Sequence, residues 1–132
     1  MKNFIVAALC CVMAAAEVDY GASEIYSRAE MDSAIRLVQE MFSNWRGCEM
    51  KNIRYGGDEA NNAENLRWMN NLAPAHGYAP EFTQCIELLT DFYVSPEAEK
   101  YTTFNPDSVY KDFQWWLART KDGDWVLLTF GY

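Results

Sequence analysis

Apolar residues recur at three- and four-residue spacing from Met31 through Ala34, Ile35, Val38 and Phe42 to Trp45, with Asp32, Arg36, Gln39 and Glu40 between them. That spacing lays one apolar stripe along a helix. The helix start is specified by local chemistry. Ser27 and Glu30 form a capping-box pattern, in which each side chain satisfies the other's free backbone N–H, and Tyr26 and Met31 flank it as a hydrophobic staple. Gly47 supplies a left-handed stop. A second helical pattern runs from Asn61 through Leu66, Trp68 and Met69 to Leu72, and ends near Ala73 because Pro74 disfavours helix in the residue before it.

Between and after the helices the period changes. Cys48 to Tyr55 alternates and carries the β-prone Ile53 and Tyr55, which predicts a strand ending at Gly56 and Gly57. Thr83 to Val94 predicts a long strand with Ile86, Leu88, Phe92 and Val94 on one face and Cys85, Glu87, Leu89, Asp91 and Tyr93 on the other. Ser95 to Ser108 has two prolines and several charges; a loop of that length is uncommon without a role or disorder. Two aromatic-rich strands, Val109 to Thr120 and Trp125 to Tyr132, then flank Asp122-Gly123, the dipeptide best suited to a type I′ hairpin. The order α-β-α-β-β-β predicts an α+β domain, with the first helix packed across a curved antiparallel sheet.

The start of the chain belongs to a different class. One lysine, Lys2, precedes an apolar run from Phe4 to Met13 and then Ala14, Ala15 and Ala16, with Glu17 and Asp19 beyond. This is the pattern of a cleavable export signal over residues 1–16. Its apolar run is roughly half to two thirds of the ~20 residues that span a bilayer. Leu9 before Cys10 and Cys10 before Cys11 do not fit a lipidation site. The expected organisation is therefore a signal peptide at 1–16, a short flexible lead at 17–25 and one domain at 26–132, secreted or in the cell envelope with no stable membrane anchor.

Cleavage would remove Lys2, leaving ten basic residues against 19 acidic ones, a net charge of −9. A surface of that sign repels nucleic-acid phosphates. It would also remove Cys10 and Cys11, so that Cys48 and Cys85 alone meet an oxidising exterior. A disulfide closing a loop of about 37 residues is expected there. Two buried thiols acting as small apolar side chains are the alternative.

The capped helix at Ser27, Phe42, the Gly47-Cys48 pair, the strand end at Asp91 and Phe92, the Asn105-Pro106 loop, and the closing Trp125 with Gly131-Tyr132 together resemble a family of small secreted proteins of Gram-positive, often gut-dwelling bacteria. Their function is unknown. The resemblance covers about Tyr26 to Tyr132 and implies a cystatin-like fold, similar to nuclear transport factor 2. Its motifs are packing and turn signals, and it implies no reaction.

The candidate chemistry is sparse. His76 is the single histidine, in a loop between prolines, where it is a candidate for proton transfer over a pocket mouth or an ordinary solvated side chain. Glu87 and Asp91, four apart on one strand, share a face at about 13 Å, too far for a common proton or metal. Either would become a general acid or base if buried. Tyr93, Tyr110, Gln114, Trp115 and Trp116 are the binding candidates, because one set of these rings is expected to line a concave pocket and stack on a sugar, peptide or cationic group. Cross-strand packing alone is the more common reason for such rings on a hairpin. No G-x-S-x-G, H-E-x-x-H, phosphate loop or dinucleotide fingerprint occurs. No cofactor and no metal is expected. The reading is a non-catalytic binding module for a small ligand, a glycan or an envelope protein, with a pocket-based acid-base enzyme or an acidic partner or inhibitor protein as alternatives.

Overall fold

A computed structural model describes residues 16–132, and the export-signal segment lies outside them except for its last residue. The capping box closes as its sequence requires: the Glu30 amide donates to Ser27 Oγ at 3.1 Å and the Ser27 amide to Glu30 Oε1 at 2.8 Å. From it runs helix α1, Arg28–Phe42, with Met31, Ala34, Ile35, Val38 and Phe42 buried. Trp45 lies beyond the helix end, in the turn that follows. Gly47 is left-handed at φ +84 but opens the next strand instead of capping the helix.

Strand β2 covers Cys48–Tyr55. Helix α2, Ala63–Leu72, is capped by Asn62, whose side chain accepts from the Asn65 amide at 2.8 Å. A single 3-10 turn, Ala73–His76, carries the chain through Pro74. Strands β3 (Gln84–Val94), β4 (Ser108–Arg119) and β5 (Val126–Gly131) complete an antiparallel meander.

The fold is α+β, with two differences from expectation. Residues 17–25 are not a loose lead. Strand β1, Glu17–Asp19, pairs in parallel with Asn52–Arg54, making a five-stranded mixed sheet of order β1-β2-β3-β4-β5. Tyr20 then donates its hydroxyl to Asp32, and Ser23 donates to Asp58 at 2.6 Å. No periodic pattern marks three polar-flanked residues as a strand.

The last connection also departs from a type I′ turn, which needs positive φ at both central residues. Only Asp122, at φ +65, is left-handed there. The Gly123 amide closes on the Thr120 carbonyl at 2.8 Å, and a Cβ at Gly123 would stand 2.5 Å from Thr120 Oγ1. The constraint at Gly123 is one of close approach, eased if the Thr120 hydroxyl turns away, and not one of φ.

Both faces of the sheet are used. α1 covers one face, where Ile53, Ile86, Leu88, Phe92, Val94, Phe113, Trp115 and Leu117 meet its stripe. α2 covers half of the other face, burying Cys85, Trp116, Ala118 and Leu128 beneath Met69, Ala73 and Phe82. Cross-layer bonds pin the layers: Tyr26 Oη donates to the Cys85 carbonyl at 2.7 Å, and Trp125 Nε1 to the Glu30 carbonyl at 3.0 Å. Buried Arg119 pairs with Glu30, donates to Gln84 at 2.9 Å, and lies 4.4 Å from the Trp125 ring centroid.

Register rules out the expected disulfide within the chain. Cys48 stands opposite Val94 at one end of β3, and Cys85 stands opposite Ala118 at the other. The intervening length of β3 is about 30 Å at ~3.3 Å per residue. A disulfide needs Cα atoms within about 7 Å. Both cysteines are free; burial pushes the Cys85 thiol up to about 11, and its Sγ donates to the Ala60 carbonyl at 3.4 Å.

Candidate functional site

The interior between α1 and the sheet is filled, not hollow. Trp115 is fully buried, with Nε1 donating to Thr90 Oγ1 at 2.9 Å, and its indole is stacked on Trp45 with centroids 5.2 Å apart. This differs from its expected place on a binding surface: among the described residues Trp115 belongs to the buried core cluster, with no exposed surface to offer a ligand. Trp116 faces the opposite layer, under the edge of Trp68 at 5.3 Å, and donates to Gln114 Oε1 at 3.0 Å. Tyr110 lies flat on Phe92, centroids 5.2 Å apart, and accepts from the Asn105 amide at 2.9 Å. Tyr93 donates to Asp107 at 2.7 Å. The five binding candidates are thus divided between two faces and do not converge on one site.

The acid-base candidates are separated as well. His76 is exposed on the 3-10 turn after α2. Asp91 belongs to a structural clamp on the uncovered half of the outer face. Its carboxylate accepts from Asn52 Nδ2 at 3.0 Å and from the Asp112 amide at 2.9 Å, with Arg54 at 3.3 Å. Burial acts to raise this carboxyl, but the hydrogen bonds and the Arg54 charge outweigh it and hold it below the usual carboxylate range. The clamp sits where the β3–β4 register shifts, and Asp112 there is left-handed at φ +57. Asp91 therefore fixes a bulge.

Glu87, half-buried over Gly56, is raised by desolvation alone. Because its folded-state value exceeds the unfolded one, its charge disfavours folding above that range, and the penalty disappears as pH falls below the unfolded value of 4.5. Glu87→Gln is expected to raise the Tm at pH 7 and to give no advantage below about pH 4. Thermal melts at the two pH values check this. A variant less stable than wild type at pH 7 would mean that the carboxylate has a favourable partner.

The residues that do converge are others. Trp45 touches Phe104 and Phe130, with ring centroids 5.1 and 5.3 Å away. These three rings form the floor of a hollow of about 510 Å³ at the end of the α1 layer. Its wall is the segment after β3: a 3-10 turn, Pro96–Lys100, anchored by buried Ala98, followed by Tyr101, Thr102 and Thr103. Arg46 lies 3.9 Å over the Tyr101 ring and holds that wall upright. Glu99, Lys100 and Thr103 are exposed around the hollow. The volume lies in the range of ordinary small-ligand sites, and an aromatic floor beside a wall that carries polar groups is a combination such sites use. The sequence held one signal for it, the long Ser95 to Ser108 loop. It gave no sign that Trp45 and Phe130 would meet that loop.

Among the described residues no group of three His, Cys, Asp or Glu side chains is placed to hold a metal ion, and no helix is long and apolar enough to cross a membrane. No family model matches the chain, and neither does any curated protein or any solved structure.

Proposed function

We propose that the protein is a non-catalytic binding module that acts outside the cytoplasm and takes a planar or apolar group into the Trp45–Phe104–Phe130 hollow. The export pattern ending near Ala16 supports the compartment. A long helix laid across a sheet supports kinship with the cystatin-like and nuclear-transport-factor-2-like scaffold, although here the binding hollow lies at the rim of the helix layer. The observation that carries the reading is three aromatic rings exposing a common surface beside exposed Glu99, Lys100 and Thr103. Burying such rings against a ligand returns about 25 cal/mol per Å² of apolar surface, and a sugar ring, an indole or an aliphatic stem all fit that chemistry. Glu87, Asp91 and His76 lie outside the hollow's lining, so it carries none of the proposed acid-base groups.

Ligand-observed NMR with indole and phenyl β-glucoside as probes tests the proposal. Thr103→Trp fills the hollow from its exposed wall without touching the core. Saturable binding that weakens at least tenfold in that variant and persists in Trp68→Ala is the expected result. Failure of both probes to bind, or equal binding by Thr103→Trp, overturns it.

A further inference from the structure

The sheet has two edges, and the chain treats them differently. β1 is three residues long with Glu17 and Asp19 on it, a short, charged border of the kind that discourages further pairing. β5 is the last strand on the other side, and among the described residues nothing pairs with its outer edge. Its sequence, Val126–Gly131, holds no charge and no proline. Two irregularities interrupt the edge: the β4–β5 register shifts between Leu127 and Thr129, and Gly131 at φ +144 leaves the extended backbone, so the edge is continuous only on either side of Leu128 and regular no further than Phe130.

The part beyond the bulge, from Thr129 to Tyr132, is bordered on both faces. On the α1 face lies the Trp45–Phe104–Phe130 hollow; on the α2 face a smaller cleft of about 60 Å³ is lined by Trp68, Gln114 and Trp116. Phe130 contributes to both. Successive side chains of a strand point to opposite faces, so a strand added at this edge would send one residue into the hollow and the next into the cleft. An edge flanked by alternate-side pockets is the arrangement by which sheets accept extended peptides, the main chain giving affinity and the pockets selectivity.

From this we infer that β5 is a docking edge for an extended peptide segment of a partner protein, in which a Lys or Arg alternates with small residues. This rests on the binding reading of the hollow and names what fills it. The large hollow suits a long side chain whose stem lies on the rings and whose cationic head reaches exposed Glu99 on the side away from Lys100, which lines the same hollow and opposes a cation placed near it. The narrow cleft suits Ala, Ser or Val. Charge selects this occupant over a second copy of the chain: a net charge of −8 on each molecule opposes self-pairing and favours a basic segment.

An array of nonapeptides alternating Arg or Lys with Ala, Ser, Thr or Val is titrated against the protein by fluorescence anisotropy. Each tight binder is remade with N-methyl groups on its odd or its even amides, and with Glu in place of the basic residue. Strand addition uses alternate amides, so methylation in one register is expected to weaken binding at least tenfold, and in the other less than threefold. The Glu version is expected to bind at least fivefold more weakly. Equal binding by both methylated forms, no binder in the array, or a concentration-dependent dimer that peptide dissociates would each overturn the inference. If it falls while indole or phenyl β-glucoside still binds and Thr103→Trp still abolishes that binding, the hollow remains a small-ligand site; if those probes fail as well, the underlying reading falls with it.

Discussion

Trp115→Ala is expected to lower the unfolding free energy by about 3–5 kcal/mol, the range for deleting a fully buried large side chain. The indole is 0 % exposed, and Trp45, Phe113 and Phe130 pack around it at centroid distances of 5.2, 5.6 and 5.0 Å. Removing it leaves a cavity under the floor of the hollow and orphans the Thr90 hydroxyl, itself fully buried. Trp115→Phe keeps most of the volume and is expected to cost about half as much, while Thr90→Val leaves the buried Trp115 Nε1–H without an acceptor and is expected to cost about 1–3 kcal/mol. Urea unfolding gives all three values. A loss below about 1 kcal/mol for Trp115→Ala would mean that the ring is not the centre of a filled core.

Gly47→Ala is the second large effect, at about 3 kcal/mol. Two causes add. A side chain at φ +84 adopts a left-handed backbone, costing roughly 1–2 kcal/mol. Its Cβ would also stand 2.7 Å from Ala98 Cβ and 2.9 Å from Ala98 Cα, an overpacking that costs about 1–3 kcal/mol where the backbone must move. Combining it with Ala98→Gly is expected to restore only part of the loss, because the φ cost and the contact with the Ala98 Cα remain. Full restoration by the double variant would assign the whole effect to the methyl–methyl clash. Since Ala98 anchors the wall of the hollow, Gly47→Ala is also expected to weaken probe binding there.

Elements governed by local chemistry were the legible ones. Ser27 and Glu30 fix the start of α1 through their own backbone, and Ile86, Leu88, Phe92 and Val94 declare the core face of β3 through a period of two. Cys48 to Tyr55 reads as a strand for the same reason. What depends on placement between distant segments was not legible. Cys48 and Cys85 share a compartment argument, but only the β2–β3 register shows that Cys48, on β2, lies beside the end of β3 opposite to the one that carries Cys85. β1 takes its hydrogen bonds from a neighbour over thirty positions away, so nothing in its three residues announces it. The hollow draws Trp45, Phe104 and Phe130 from three separate segments. Trp45 reads as the last member of a helical stripe, and only the turn after Phe42 takes it out of the helix and onto Trp115.

The alternation of Trp115 and Trp116 across β4 leaves an indole pair in each layer: Trp45 with Trp115 at 5.2 Å beneath α1, and Trp68 with Trp116 at 5.3 Å beneath α2. The two layers therefore carry separate optical reporters. The first pair is stacked, with Trp115 fully buried and Trp45 partly exposed on the hollow; the second meets edge-on, with Trp68 exposed. Replacing Trp68 removes the Trp68–Trp116 contact without cutting into the main core, so the difference between the wild-type and variant signals follows the α2 layer, against the Trp115 and Trp125 background of the α1 layer. Coincident transitions would identify a single cooperative unit, and an early loss of the Trp68–Trp116 signal would identify α2 as a layer that opens first.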